Sequence, residues 1–491
     1  MKNIIRKRSL ILLVAFVAGC QSWLDVSPKS EIKAENLFQS QEGFWDALTG
    51  IYIGMTDQSI YGANLSWGAI EFMAWQHANT NNSGSWFELQ RYDFESTRAN
   101  SFATSVWSKL YNVVAEINYL LYALDEYGHI LTPDIFNAIK GEALALRAYC
   151  HFDLIRLFAE GNLANNQAAL EKPCIPYVTE HSKEVTAQKS YRETIAMLVR
   201  DVDEAITLLD VDHLPRSTYF TMNHLGARLL KTRIAQWTND PNTLTYALEL
   251  IDILESISSK WVIDNMAANR HLDQTLVAVF PTELLFCLDV FRLRTYMNSA
   301  YSTHVNSNIN RNMLINSTDF VNNNLFELNN PPRGVSSSDL RYLNWYSYFS
   351  EPLNDISGWI SIKARQPATD YRNIIALMRV SEPYLIAAES YIGVNSEKTV
   401  DLINFLRTKR NNSVDFLVPQ GLSDLELQNI IQLEYRREFT QEGQLFFYYK
   451  RKGVVEIPGA DLTVGEMTNA RYTLRYPVVE QDFGRSNNND D

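Results

Sequence analysis

Apolar residues recur at intervals of three and four over long stretches of this chain. Phe102, Val106, Leu110, Val113, Ile117, Leu120 and Leu124 form one such series. Ile139, Ala143, Leu146, Cys150, Leu154 and Leu157 form a second, and Tyr191, Ile195, Leu198, Val202, Ile206 and Leu209 a third. The spacing predicts amphipathic helices. Weaker patterns predict further helices at about 41–55, 222–238, 243–257, 382–392, 397–410 and 423–441. Glu283 to Val290 reads as a buried strand. Helices in pairs with short connections predict a mainly α fold of tetratricopeptide-like hairpins. No clean consensus repeats along the chain, so a generic helical bundle is the alternative.

The helical frame is expected at about 36–258 and 381–450, within a single domain spanning 20–491. Residues from about 260 to 380 change character. Ten of the 25 residues from Asn306 to Asn330 are asparagine, and Pro331-Pro332-Arg333-Gly334 closes the run. Asparagine side chains compete for backbone hydrogen bonds, so the run is expected to resist regular structure. Aromatics recur nearby: Tyr296, Tyr301, Tyr342, Trp345, Tyr346, Tyr348, Phe349 and Trp359. A large irregular excursion on a helical frame is where function is expected.

The first residues add an address. Lys2, Arg6, Lys7 and Arg8 precede an apolar run from Leu10 to Ala18, and Val17-Ala18-Gly19-Cys20 follows the pattern of a lipobox. The run is far shorter than the roughly 18–20 residues that span a bilayer. Residues 1–19 are therefore expected to be a lipoprotein signal peptide, with Cys20 the lipidated first residue of the mature chain. Removing them takes away four positive charges and lowers the net charge from −13 to −17. No Lys/Arg-rich run survives, which argues against nucleic acid as a partner. With Cys20 lipidated, Cys150, Cys174 and Cys287 remain. An odd number cannot form a complete disulfide framework, and Cys150 and Cys287 read as buried thiols.

Several segments, in order, carry a resemblance. Asn36-Leu37-Phe38 leads into a helix from Gly43 to Tyr52. Gly141-Glu142-Ala143-Leu144-Ala145-Leu146-Arg147-Ala148-Tyr149 runs on to Phe158, and Arg200-Asp201-Val202-Asp203-Glu204-Ala205 is followed by Leu208-Leu209. Glu382-Pro383-Tyr384-Leu385-Ile386-Ala387-Ala388-Glu389 comes next. The most specific stretch is Glu434-Tyr435-Arg436-Arg437-Glu438-Phe439, with Glu442-Gly443 and Lys450-Arg451 beyond it. Together these resemble the SusD/RagB family of outer-membrane nutrient-binding lipoproteins. The chain departs from the family pattern at Ala159-Glu160-Gly161-Asn162, at Tyr448-Tyr449 and at Tyr476-Pro477-Val478-Val479. The resemblance implies an α-superhelix of four tetratricopeptide-like pairs with a loop-rich ligand half. It also implies glycan capture at the cell surface, on an outer-membrane lipid anchor, in complex with a SusC-like TonB-dependent transporter barrel. No cofactor is implied.

Sugars present flat C–H faces ringed by hydroxyls, which exposed aromatic faces and planar amides suit. The stretch from Trp75 to Phe87 supplies both, between the first two helices, where the family commonly places part of its ligand site. Trp75, Asn79, Asn81, Trp86, Phe87, Tyr296, Trp345 and Tyr346 are the candidate glycan contacts. The competing reading of Trp75 and Trp86 is that they pin a long loop to the core. Trp107, Phe152 and Trp237 lie in helical patterns and are assigned to the core.

Glu434 and Glu438, one turn apart, raise the question of an acid–base pair. Side by side on one helix they have no opposing wall. Arg436, Arg437, Lys450 and Arg451 are at hand to pair with them, which lowers a carboxyl pKa and unfits it as a general acid. Arg147 reads as the partner of a nearby carboxylate. No histidine spacing suits a catalytic metal. A non-enzymatic glycan-binding lipoprotein is therefore the expected function. The alternatives are a lipid-anchored glycoside hydrolase and a protein-binding tetratricopeptide scaffold.

Overall fold

The computed structural model describes residues 34–77, 86–209, 219–257, 281–293, 295–296, 316–351, 356–361, 363, 373–460 and 465–485. Cys20, Asn79, Asn81 and the signal segment lie outside them. Ten helices of eight residues or more are described: α1 Gln41–Met55, α2 Thr97–Tyr127, α3 Pro133–Phe158, α4 Tyr191–Leu209, α5 His224–Thr238, α6 Thr243–Ser256, α7 Ser381–Tyr391, α8 Ser396–Lys409, α9 Asp424–Glu438 and α10 Leu445–Lys452. From α1 to α8 each helix packs on the next, and α9 packs on α7 and α8. The chain is mostly helical, as its periodicity predicts.

Local signals set the helix ends. Ser40 accepts from the Gly43 amide at 3.2 Å, and Ser96 from Ala99 at 3.2 Å. Ser96 caps α2 six residues before Phe102, the first residue of its apolar series. Ser423 and Glu426 form a reciprocal capping box on α9, which satisfies two otherwise orphan amides. Asn239 (φ 56°) and Gly453 (φ 62°) take the left-handed conformation that closes α5 and α10.

Helix α3 is not the amphipathic element its periodicity predicts. Every residue from Gly141 to Phe158 is buried. Its polar residues are paired inside: Arg147 forks onto Asp201 at 2.7 and 2.9 Å, and Tyr52 donates to Glu142 at 2.5 Å. The Arg147–Asp201 pair locks α3 to α4. Trp107, Phe152 and Trp237 are core residues, at 4%, 2% and 3% exposure. Cys150, Cys174 and Cys287 are buried free thiols.

Among the described residues four strands interrupt the helices: β1 Leu284–Asp289, β2 Tyr346–Glu351, β3 Ile356–Ser361 and β4 Ile374–Arg379. The expected strand β1 pairs antiparallel with β4, Cys287 opposite Ala376 and Asp289 opposite Ile374. This closes the base of the excursion against the frame. Above it, β2 and β3 form an antiparallel hairpin with Tyr348 opposite Trp359. The described part of the asparagine run is more regular than expected. Phe320–Leu325 forms a single π-helical segment, and Asn323 and Asn324 donate to the Asp319 carboxylate at 2.7 and 3.0 Å. Their amides cap a local carboxylate instead of unravelling the backbone.

Candidate functional site

The excursion is joined to the frame by a buried ion cluster. Glu434 of α9 accepts from Arg341 at 2.8 Å and from Arg407 and Arg437 at 2.9 Å. Glu438, one turn on, meets Arg410 at 2.6 Å, Arg379 at 2.8 Å and Arg341 at 3.3 Å. Glu283 pairs with Arg410 and Arg379, and Asp339 with Arg341. Burial alone would raise both glutamate carboxyls, but the surrounding guanidinium groups hold them well below the usual carboxylate range. Neither can serve as a general acid. Most of the pairing comes from elsewhere than expected. Of the four cations close in sequence, only Arg437 takes part. Arg451 forks onto Glu389, Lys450 donates to the Leu157 carbonyl at 3.2 Å, and Arg436 reaches Gln76. Arg341, Arg379, Arg407 and Arg410 are brought in by the fold.

This cluster decides the fate of two candidate contacts. Trp345 is 1% exposed, with Lys363 Nζ 3.9 Å above its ring and Arg379 and Arg410 at 5.7 Å. Burial is the first cause, and neighbouring Arg379 the next, of a Lys363 pKa lowered to about 8. Tyr346 is 3% exposed and its hydroxyl lies 3.1 Å from Thr440 Oγ1. Both rings are socket residues of the excursion, not platforms facing solvent. Trp75 is likewise turned inward: it is 9% exposed, and its indole donates to the Gln90 carbonyl at 2.8 Å. The loop-pinning reading holds for it.

What Trp75 and its neighbours do is bring two segments together. Gln90 also donates to the His77 carbonyl at 2.8 Å, tying residues 75–77 to the short helix Phe87–Gln90. Asn316 donates from its side chain to the Gln76 carbonyl at 2.9 Å, and its backbone exchanges two 2.8 Å bonds with Trp359. Arg436 of α9 supports the junction: its Nη1 donates to the Asn324 carbonyl at 3.0 Å, and its Nε to Gln76 at 3.3 Å. The loop before α2 and the hairpin β2–β3 thus meet through Gln76, Asn316 and Trp359.

On the hairpin, Tyr348 is 54% exposed, and its ring centroid lies 5.6 Å from that of Trp359, edge to face. Tyr342 lies 5.2 Å from Trp359 on its other contact, and both of these rings are half-buried. The Trp359 indole N–H is buried and has no hydrogen-bond partner among the described residues. The three aromatic rings, with Tyr348 the most exposed, offer stacking area. The sequence places Tyr342, Tyr348 and Trp359 in the aromatic-rich stretch, but only the fold separates them from Trp345 and Tyr346. Trp86 is half-buried, 4.7 Å from Phe72, and Phe87 is half-buried with Arg91 4.4 Å over its ring. Tyr296 is half-buried against the main core. Among the described residues no three His, Cys, Asp or Glu side chains group as a metal site.

Residues 22–224 match the SusD-like family model, described as starch-binding associating with outer membrane. No curated protein matches the chain. Several solved structures share the fold. A SusD superfamily protein of Bacteroides thetaiotaomicron is 21% identical, with a TM-score of 0.74 over 91% of this chain and 99% of that one. A SusD-like carbohydrate binding protein of Bacteroides vulgatus is 18% identical, with a TM-score of 0.66 over 84% and 83%. Surface glycan-binding protein A of Bacteroides uniformis is 15% identical, with a TM-score of 0.68 over 90% and 98%. Residues 22–224 are thus similar to the SusD-like family, and the chain shares its fold with SusD superfamily structures over most of its length.

Proposed function

We propose that this chain is a lipid-anchored, outer-membrane glycan-binding protein that captures oligo- or polysaccharide and passes it to a TonB-dependent transporter barrel. The chain catalyses no reaction on the glycan. The observation that carries the binding site is the junction at Asn316. Asn316 bonds to the Gln76 carbonyl and to the backbone of Trp359, whose ring contacts Tyr342 and Tyr348, and this supports a site on these rings. The rings stack on the sugar C–H face. Asn79 and Asn81, which lie outside the described residues, are kept as candidate glycan contacts for their planar amides. The starch-binding character of the matching family, and the carbohydrate and glycan binding of the solved relatives, support a carbohydrate ligand.

The test is a glycan array probed with the soluble chain lacking residues 1–20, followed by calorimetry on the strongest ligand. Binding that weakens at least severalfold in Trp359→Ala and Tyr348→Ala is the expected result. Absence of any glycan binding, or full affinity in both variants, overturns the proposed site.

A further inference from the structure

A second aromatic surface lies on the opposite kind of element, a long helix of the frame. Tyr119 and Tyr122 sit one turn apart on α2, with ring centroids 6.5 Å apart and planes only 21° from parallel. His181, from the segment between α3 and α4, lies 4.7 Å from Tyr119 and 5.8 Å from Tyr122. Tyr122 is 44% exposed, His181 is exposed and Tyr119 half-buried. None of the three belongs to the hairpin platform.

The segment that carries His181 is held rigid. Asn118 donates to the Val178 carbonyl at 3.0 Å and Arg147 to the Thr179 carbonyl at 3.1 Å. The Val178 amide donates to His151 Nε2 at 3.0 Å, and His151 stacks on Tyr177 at 4.0 Å. From below, Phe38 packs edge-on to Tyr119 at 5.7 Å. The three rings are thus positioned before any ligand arrives, which removes much of the ordering cost of binding. Tyr119 anchors the group to the core, whereas the Tyr122 and His181 rings are exposed and yet braced from two segments. They match the flat faces of consecutive pyranose rings, with Tyr hydroxyls and the imidazole as polar partners at the edge. Glu126, exposed one turn beyond Tyr122, adds a carboxylate that accepts from sugar hydroxyls.

We infer that Tyr119, Tyr122 and His181 form a second carbohydrate-contact surface, which takes a pyranose segment of a glycan chain on the outer flank of α2. The ligand class rests on the glycan-binding reading above, whereas the surface itself rests on the ring geometry. Two contact surfaces on one rigid body raise the local concentration of a long chain at each other, so avidity is gained for polymers over short oligomers.

The experiment uses the soluble chain with labelled tyrosine, histidine and tryptophan rings, observed by nuclear magnetic resonance. Methyl pyranosides of glucose, galactose, mannose, xylose and N-acetylglucosamine are titrated separately into the millimolar range. At least one is expected to shift the Tyr122 and His181 resonances saturably, in the parent and in Trp359→Ala alike. In Tyr122→Ala the His181 shift is expected to weaken at least tenfold, and His181→Ala is expected to weaken the Tyr122 shift comparably. Response of Trp359 with none at Tyr122 or His181 overturns this surface while leaving the hairpin site standing. Response at neither place overturns both. A His181 shift that persists in Tyr122→Ala also overturns the surface.

Discussion

The side-chain amide of Asn316 donates to the main-chain carbonyl of Gln76 at 2.9 Å, across 240 positions of sequence. Asn316 is 2% exposed, so neither group has ready access to solvent as an alternative. One asparagine holds the loop before α2 to the hairpin through this bond and through its two backbone bonds to Trp359.

Replacing Asn316 by Ala leaves the Gln76 carbonyl buried without this donor. The expected loss of stability is about 1–3 kcal/mol. Glycan affinity is expected to fall with it, because the ring platform loses its brace. Urea denaturation and calorimetry check the two effects, and a variant with unchanged affinity refutes the bracing role.

Trp345 and Tyr348 separate socket from platform. Trp345→Ala removes a fully buried ring and is expected to cost about 3–5 kcal/mol of stability. Tyr348→Ala, at a ring 54% exposed, is expected to leave the melting temperature nearly unchanged. Its effect on glycan binding is a loss of about 0.5–1.5 kcal/mol plus its contact area, up to roughly tenfold or more in affinity. Scanning calorimetry beside glycan titration distinguishes the two residues.

Acid stability is expected to depend on Glu389. Burial would raise its carboxyl, but Arg451 and Lys452 beside it pull the pKa down, from 4.5 to about 2. A carboxyl lowered on folding stabilises above its unfolded pKa and loses that contribution as pH falls toward the folded value. The contribution, about 3 kcal/mol at neutral pH, is thus expected to be present above about pH 5 and to erode between there and about pH 2. Stability measured against pH in Glu389→Gln should show a shallower acid limb than the parent. An identical limb refutes the assignment.

The anchor and the transporter are tested in cells. Cys20→Ala is expected to abolish palmitate labelling and to leave the chain uncleaved or soluble. Mild detergent extraction of the parent, followed by pull-down, is expected to recover a large TonB-dependent barrel. Recovery of the chain alone, under several detergents and after cross-linking, counts against the transporter partnership.

Helices such as α2 and α4 were legible because their burial is one-sided and follows the helical period, whereas α3 was legible as a helix but not as a fully buried one. Helix α10 was not, since Leu445 to Lys450 is buried all round and shows no period. Strand β4 is equally opaque: its partner β1 lies far back in the chain, and Ile374–Arg379 is buried on both faces. At the site, the aromatic-rich segments were legible but the exposure of each ring was not. Trp345 is covered by Lys363, Arg379 and Arg410, which come from three separate segments. Nothing near Trp345 in sequence announces them. The pairing of Glu434 and Glu438 was legible as a type of interaction, while most of the partners depended on the fold.

The ion cluster under the excursion works as a keyed socket for any exchange of binding surface. Glu434 and Glu438 stay on the frame, whereas Arg341 and Arg379 arrive with the segment between β1 and α7. A transplanted ligand-binding segment lacking those two guanidinium groups would leave carboxylates buried with incomplete compensation, a penalty of several kcal/mol. A transplant that keeps them, together with Asp339, retains the docking chemistry whatever rings it carries on its outer hairpin. The inner face therefore constrains which segments can be grafted, and the outer face is left open to a change of ligand.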